Sequence, residues 1–351
     1  LVGLLKERHG TIEKFNAAGG SALVMEPRTG KILAMASQPT FNPNEYTKYV
    51  DERVYFRNKP IWYMYEPGST MKPITVASAV DAGVVEPFEK SIMCEHAIQV
   101  NGWTIRDEHG DLPGLKSPLD IIVNSFNTGA ARIAMKMGSQ TLQSYFARFN
   151  FGRYYDFPLN GQSRGILPDY KEAREVTIAN NGFGHGISVT QLQMAMAIAA
   201  IANGGLIMKP TIVEKIVDPI TQTPIQEFEP KVVRRAVKEE TSRVVRYMMH
   251  MVTEQGTGEK AKIPGYRVAG KTGTAQVAGN HGYMAGQYIS SFVGFAPAED
   301  PQVLVMVTIE KPRGSYYAAE VAAPAFKEIM KKTLWHLEIP PSPPEKEPLG
   351  Y

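Results

Sequence analysis

Three short motifs able to carry chemistry stand in order along the chain: Ser69-Thr70-Met71-Lys72, Ser125-Phe126-Asn127 and Lys271-Thr272-Gly273-Thr274. No other Ser-x-x-Lys, Ser-x-Asn or Lys-Thr-Gly occurs in the sequence. Together they supply a serine with an amine one helical turn away, a second hydroxyl beside an amide, and a second cation in a run of small residues. A serine hydroxyl attacks only when a base takes its proton. Lys72 can be that base if burial and a nearby cation, for which Lys271 is the candidate, lower its pKa toward neutrality. Ser125 is placed to relay a proton between Lys72 and a leaving amine. Asn127, whose amide both donates and accepts, is placed to hold Lys72 and a substrate carbonyl. Gly273 has no side chain to keep a substrate backbone away from its strand, and Thr272, Thr274 and Lys271 make a carboxylate site. The backbone amides of Ser69 and Thr274 are candidates for an oxyanion hole. This is the equipment of acyl transfer through a covalent serine ester.

Each motif has a plainer reading by itself. Ser69 can cap a helix with Lys72 solvated in its first turn, Ser125 and Asn127 can be caps before Thr128-Gly129, and Lys271 can sit on a bulged strand. Their joint occurrence in this order favours the chemical reading. Gly265 to Thr272 also spells a nucleotide P-loop, but that motif needs a loop opening into a helix, and this stretch is strand-like with no interior glycine. His185, flanked by glycines, reads as a turn residue, with substrate contact as the alternative. Seven histidines and one cysteine show no metal-ligand spacing, so no metal and no cofactor is expected.

The elements that must position these residues follow from pattern. Ala22 to Met25 and Lys31 to Ala36 read as a hairpin joined by Pro27-Arg28-Thr29-Gly30. Residues 38–66 read as a long surface connection. A helix from Ser69 to about Ala82 is stopped by Gly83. From Ser117 to Asn203 the pattern is mostly helical, with Leu119, Ile122 and Val123 on one face, a helix from Thr128 to Met137 and another from Val189 to Ala202. Val268 to Val277, Tyr288 to Phe295 and Val303 to Ile309 are β-rich, and Ala322 to Leu337 is a last helix with Pro324 in its first turn. Strands at both ends with helices between predict one antiparallel sheet built from distant segments, an inserted helical lobe, and a cleft between them. The domain runs over 21–338, after a remnant of something upstream (1–20) and before a Pro-rich, charged tail (339–351) expected to be disordered.

The 351 residues are 43% hydrophobic, with a net charge of +3, an ordinary globular composition that does not point to nucleic acid as a partner. Cys94 is the only cysteine, which excludes an intrachain disulfide and mildly favours an oxidising compartment. The longest apolar stretch, Leu192 to Met208, is interrupted by Gln193, Asn203, Gly204 and Gly205 and reads as a buried helix rather than a membrane span.

The motif order resembles that of the penicillin-binding proteins, and the text between motifs is similar to the monofunctional class B transpeptidases over about residues 20–335. The likeness is carried by Gly30-Lys31-Ile32-Leu33-Ala34-Met35-Ala36-Ser37, Asn42-Pro43-Asn44, Glu66-Pro67-Gly68-Ser69-Thr70-Met71-Lys72-Pro73, Gly184-His185-Gly186-Ile187-Ser188-Val189-Thr190 and Gly270-Lys271-Thr272-Gly273-Thr274-Ala275-Gln276. Arg57-Asn58 and Glu66 before Pro67 lean toward the septal, cell-division branch. The resemblance implies the penicillin-binding/β-lactamase-like fold, an α/β (α+β) domain with a five-stranded antiparallel sheet flanked by helices, an inserted all-helical lobe, and Ser69 at the head of the central helix. It implies D-Ala-D-Ala transpeptidation of peptidoglycan stem peptides, with β-lactam antibiotics trapped as esters of Ser69. It also implies a bacterial cell membrane location with an extracytoplasmic domain behind a single N-terminal anchor and pedestal absent from this chain. A membrane glycosyltransferase and divisome proteins are the implied partners. The rivals are a β-lactamase, for which Gly161 to Asn180 offers Glu172 and Glu175 but no Glu-x-x-Leu-Asn pattern, and a catalytically silent β-lactam sensor or divisome scaffold of the same fold.

Overall fold

The computed structural model describes residues 10–108, 113–279 and 282–344, with the Arg53 side chain left aside. A five-stranded antiparallel sheet is built from β1 (Gly19–Met25), β2 (Ile32–Gln38), β3 (Ala269–Gly279), β4 (Gly282–Ala296) and β5 (Val303–Glu310) in the order β3-β4-β5-β1-β2. The two ends of the chain therefore meet at the β5–β1 pair, where Ser21 lies opposite Thr308 and their hydroxyls are 2.7 Å apart.

Both faces of the sheet are covered, which explains why Val303 to Ile309 reads as an unbroken apolar run. Side chains alternate across a strand. Leu23, Met25, Leu304 and Met306 enter the core shared with the helical lobe, while Ala22, Val24, Val305 and Val307 face the C-terminal helix. The lobe contains α1 (Lys72–Asp81), α2 (Pro118–Asn124), α3 (Asn127–Arg148), α4 (Glu175–Gly182), α5 (Gln191–Ala202) and α6 (Glu239–Gln255). The C-terminal helix is α7 (Ala318–His336), and its Phe326 meets Phe292 of β4 with ring centroids 4.5 Å apart. Every residue of α5 is buried, and its Gln191 Nε2 donates to the Met306 carbonyl of the sheet at 2.9 Å. Thr190 and Gln193 form the capping box that starts it. Among the described residues no helix is long and apolar enough to cross a membrane.

Four expectations change. The lobe is not purely helical: Ile92–Cys94 pairs with Gly114–Lys116, and Ala97–Val100 with Trp103–Arg106. Strands of three or four residues are too short for their alternation to stand out in sequence. Residues 38–66 are not wholly a surface connection, because Lys59, Pro60 and Ile61 are buried. The last helix starts one turn earlier than Pro324 suggests, since Tyr317 is extended and the Ala318 N–H is received by Thr274 Oγ1 at 3.1 Å; Pro324 thus lies in the helix interior. At the chain ends, β1 already begins at Gly19, and the start of the expected tail is docked. Tyr266 Oη donates to the Ile339 carbonyl at 2.7 Å, and the Ser342 N–H donates to the Gly265 carbonyl at 2.8 Å. Residues 1–9 and 345–351 lie outside the described residues.

Candidate active site

A 3₁₀ turn, Gly68–Met71, leads straight into α1, so Ser69 stands at the head of a helix whose residues Lys72 to Ala79 are all buried. Ser69 is half-buried between neighbours that are fully covered. The turn is wedged tightly in place. Gly68 has φ of +54°, and its N–H donates to the Gly184 carbonyl at 3.0 Å. A Cβ on Gly184 would come within 2.2 Å of the Gly68 carbonyl oxygen. On the other side runs β3, the free edge of the sheet. A Cβ on Gly273 would meet Ser291 Oγ at 2.7 Å, Thr70 Cγ2 at 2.8 Å and the Pro67 carbonyl oxygen at 2.9 Å. The missing side chain of Gly273 therefore seats the serine's own turn against the strand.

Ser125 ends α2 in the left-handed conformation, φ 64° and ψ 40°, so the chain turns sharply into α3 at Asn127. That turn brings Ser125 and Asn127 to Lys72. Lys72 Nζ donates to Asn127 Oδ1 at 2.8 Å, to Ser125 Oγ at 3.1 Å and to the Ser125 carbonyl. Lys271 Nζ, arriving from β3, donates to the same Ser125 Oγ at 3.0 Å, to Thr272 Oγ1 at 3.2 Å and to Thr257 Oγ1 at 3.3 Å. Both lysines are fully buried. Burial brings Lys72 down to about 7, against the opposing pull of Asp107 and Glu108. Burial first, and the Lys72 charge second, hold Lys271 well below its ordinary value. Burial is the leading cause for both lysines, and the repulsion between their charges, expected together with burial, is shared by the pair.

Beside this cluster opens a cleft of about 400 Å³ lined by Ser69, Ser125, Thr272, Thr274, Glu108 and Tyr317, among others. Lys72, Asn127, Lys271 and Gly273 lie behind its wall. Of the expected carboxylate site, the two threonines face the cleft and Lys271 reaches it only through Thr272 and Ser125. The Thr274 carbonyl lies toward Gly68, and in an extended strand a residue's N–H and C=O point the same way. The Thr274 N–H thus faces the turn that carries Ser69.

Residues 20–331 match the model of the penicillin-binding protein transpeptidase domain. The chain belongs to this family. Among its relatives, stage V sporulation protein D of Bacillus subtilis is 37% identical over 93% of this chain and 51% of its own length. The peptidoglycan D,D-transpeptidase FtsI of Escherichia coli is 33% identical over 96% of the chain and 54% of its own. The chain spans about half the length of these curated relatives. Among solved structures, penicillin-binding protein 3 of Mycobacterium tuberculosis complexed with ampicillin superposes with a TM-score of 0.87 at 28% identity, covering 97% of this chain and 76% of that one. The transpeptidase domain of penicillin-binding protein 3 from Burkholderia pseudomallei gives 0.80 at 32% identity, covering 95% and 93%.

Within this transpeptidase domain several supporting residues were not visible in the sequence. Asp107, at the end of the Ala97–Arg106 ribbon, accepts the N–H groups of Asn127 and Thr128 and the Thr128 hydroxyl, so it caps α3 from twenty residues upstream. Thr257 joins Lys271 to Thr272. Glu66 accepts the Gly186 N–H and the Tyr283 hydroxyl, each at 2.9 Å, tying the serine turn to the 183–186 loop and to the β3–β4 hairpin. Asp107 and Thr257 carry no local motif, and Glu66, although it stands in the run that leads to Ser69, shows this task only through tertiary placement. His185 behaves as a turn residue. Its N–H donates to the Asn180 carbonyl, its ring lies between Phe183 and Tyr283, and burial and the Lys72 charge hold its imidazole at about 4. Glu172 and Glu175 are exposed and absent from the cleft lining. Lys271 and Thr272 lie inside β3 with no helix after them, which removes the P-loop reading.

Proposed function

We propose that this chain is a peptidoglycan D,D-transpeptidase domain, a serine acyltransferase that cross-links stem peptides through an ester at Ser69. One observation carries the reading: Lys72, Ser125, Asn127 and Lys271 form a single buried hydrogen-bonded cluster behind a cleft onto which Ser69 opens. Neutral Lys72 takes the Ser69 proton as Oγ attacks the penultimate D-alanine carbonyl. The N–H groups of Ser69 and Thr274 receive the oxyanion. The hydroxyls of Thr272 and Thr274 hold the terminal carboxylate. Both lone pairs of Ser125 Oγ are engaged by the two lysines, so its own proton is left for the cleft. That suits it to deliver a proton to the leaving D-alanine nitrogen and to recover one from Lys72. An amine from a second stem then attacks the ester, and the same path returns a proton to Ser69. β-Lactams imitate the D-Ala-D-Ala end and remain as the ester.

The exposed positions of Glu172 and Glu175 leave no reason to favour a β-lactamase. The names of the FtsI relatives, with Arg57-Asn58 and Glu66, support a septal role. That role brings with it a membrane anchor preceding this domain, an extracytoplasmic location, and a glycosyltransferase and divisome proteins as partners. Incubation with labelled penicillin followed by intact mass and peptide mapping tests the core of the reading: one adduct per chain on Ser69, with a single burst of nitrocefin. An adduct elsewhere, or none, refutes it.

A further inference from the structure

The cleft carries a carboxylate that the acylation chemistry does not use. Asp107 and Glu108 are adjacent, but Asp107 is consumed in capping α3, whereas Glu108 lines the cleft beside Ser69 and Ser125. Glu108 is exposed and forms no hydrogen bond or ion pair among the described residues. The other carboxylate of the lining, Glu320, already accepts the Ser315 hydroxyl at 2.6 Å and lies 4.0 Å from Lys260 Nζ. The negative charge of Glu108 is felt by Lys72, Lys271 and Tyr316. The half-exposed Tyr317 ring lines the same opening.

From this geometry we infer that Glu108 receives the second substrate: an aliphatic amine that arrives as its ammonium ion. The inference rests on the acyl-transfer reading and assigns a residue to the acceptor side of it. The donor brings a carboxylate to the threonine side of the cleft. A cation is drawn instead to Glu108, the carboxylate of this lining that has no partner among the described residues, and to the negative face of a tyrosine ring. At the ester the ammonium releases one proton to solvent, and its freed lone pair forms the N–C bond. The C–Oγ bond to Ser69 breaks, and a second N–H proton passes to Ser69 Oγ, leaving a neutral amide and a free serine. Glu108 is not required as the base; it concentrates the cation beside the ester.

The test measures partition of the Ser69 ester formed from an N-acyl-D-alanyl thioester between 1,5-diaminopentane and hydroxylamine. At about pH 8.5 the diamine is cationic and hydroxylamine neutral. In the unmodified chain the diamine-to-hydroxylamine transfer ratio falls as salt is raised, because the attraction is screened. Glu108→Gln lowers that ratio roughly threefold to fivefold, the scale of one partly exposed charge pair, and abolishes most of its salt dependence. Glu108→Asp keeps the salt dependence. A ratio in the unmodified chain that ignores salt, or one unchanged in Glu108→Gln, overturns the assignment. Penicillin labelling of Ser69 in the same preparations reads the acyl-transfer function separately: its loss from the unmodified chain sinks that reading, whereas labelling with a salt-independent ratio sinks only the role of Glu108.

Discussion

Lys72 has three acceptors around its nitrogen and no water-facing surface, an arrangement that suits an ammonium while burial works against one. The balance lands near neutrality, at about 7, so the side chain is split between acid and base forms at working pH. Acylation needs the free amine. Its rate should therefore climb with pH through about 7 and level off above it. Lys72→Met should lose at least about 10³-fold in acylation by penicillin, the scale of general-base catalysis, and show no such limb. The same group acts on stability in a defined direction. Its folded pKa is below the ordinary 10.5, so between about 7 and 10.5 the unfolded chain holds the extra proton and this lysine adds stability as pH rises. Melting temperatures of the two proteins compared at neutral and alkaline pH should rise more in the parent than in Lys72→Met, which keeps only the contribution of Lys271. A rate that is flat across neutrality in the parent would remove Lys72 from the role of base.

At the scale of elements, the serine turn, the 183–186 loop and strand β3 are held together by absent side chains. Within these elements, Gly184 and Gly273 are positions where even one added carbon would collide with backbone. Gly273→Ala should push β3 off the Ser69 turn and misplace the Thr274 N–H relative to the serine. Overpacking of this kind costs about 1–3 kcal/mol of stability. Acylation should fall further than that alone explains, by about tenfold or more, because a displacement near 1 Å is costly to catalysis. A variant that melts lower yet acylates at the parent rate would show that β3 does not position the site.

These same elements show what the sequence could disclose. The Ser69, Ser125 and Lys271 motifs were legible because each couples a rare spacing to one chemistry, and the strands because β5 is rich in β-branched residues and β1 and β4 carry short apolar runs between turn residues. The ribbon between residues 92 and 116 was not, since its strands are too short to show a period. Asp107 was invisible for the same reason: its value lies in where the ribbon ends, above the start of α3. The contact of Gly273 with the serine turn was not legible either, because a sequence shows that a side chain is missing and not what packs in its place. Pro324 misled in the opposite direction. Proline marks helix starts on average, and here the docking of Ala318 on Thr274 overrides that preference.

For the molecule as a whole, the sheet closes only when the first and last strands pair, so distant segments must be tied. Lys59 Nζ, on the Lys59–Trp62 turn that precedes the serine, meets both carboxylate oxygens of Glu310 at 2.7 and 2.9 Å. Glu310 ends β5, opposite Gly19 of β1 and Ile289 of β4, and the two side chains are only 6% and 12% exposed. The pair thus joins the connection ahead of Ser69 to three strands at once. Removing one member leaves the other charge buried and unpaired, which costs about 3–5 kcal/mol, far more than a surface pair would. Lys59→Met should lower the urea midpoint by that energy divided by the slope, with the slope itself unchanged, because the unit that opens is the whole domain rather than one loop. Replacing both partners by apolar residues, Lys59→Met with Glu310→Leu, should recover much of the loss, since no charge is then stranded. If Lys59→Met costs less than about 1 kcal/mol, the pair is as solvated as an ordinary surface bridge and the tie between the chain's two ends lies in the Ser21–Thr308 ladder alone.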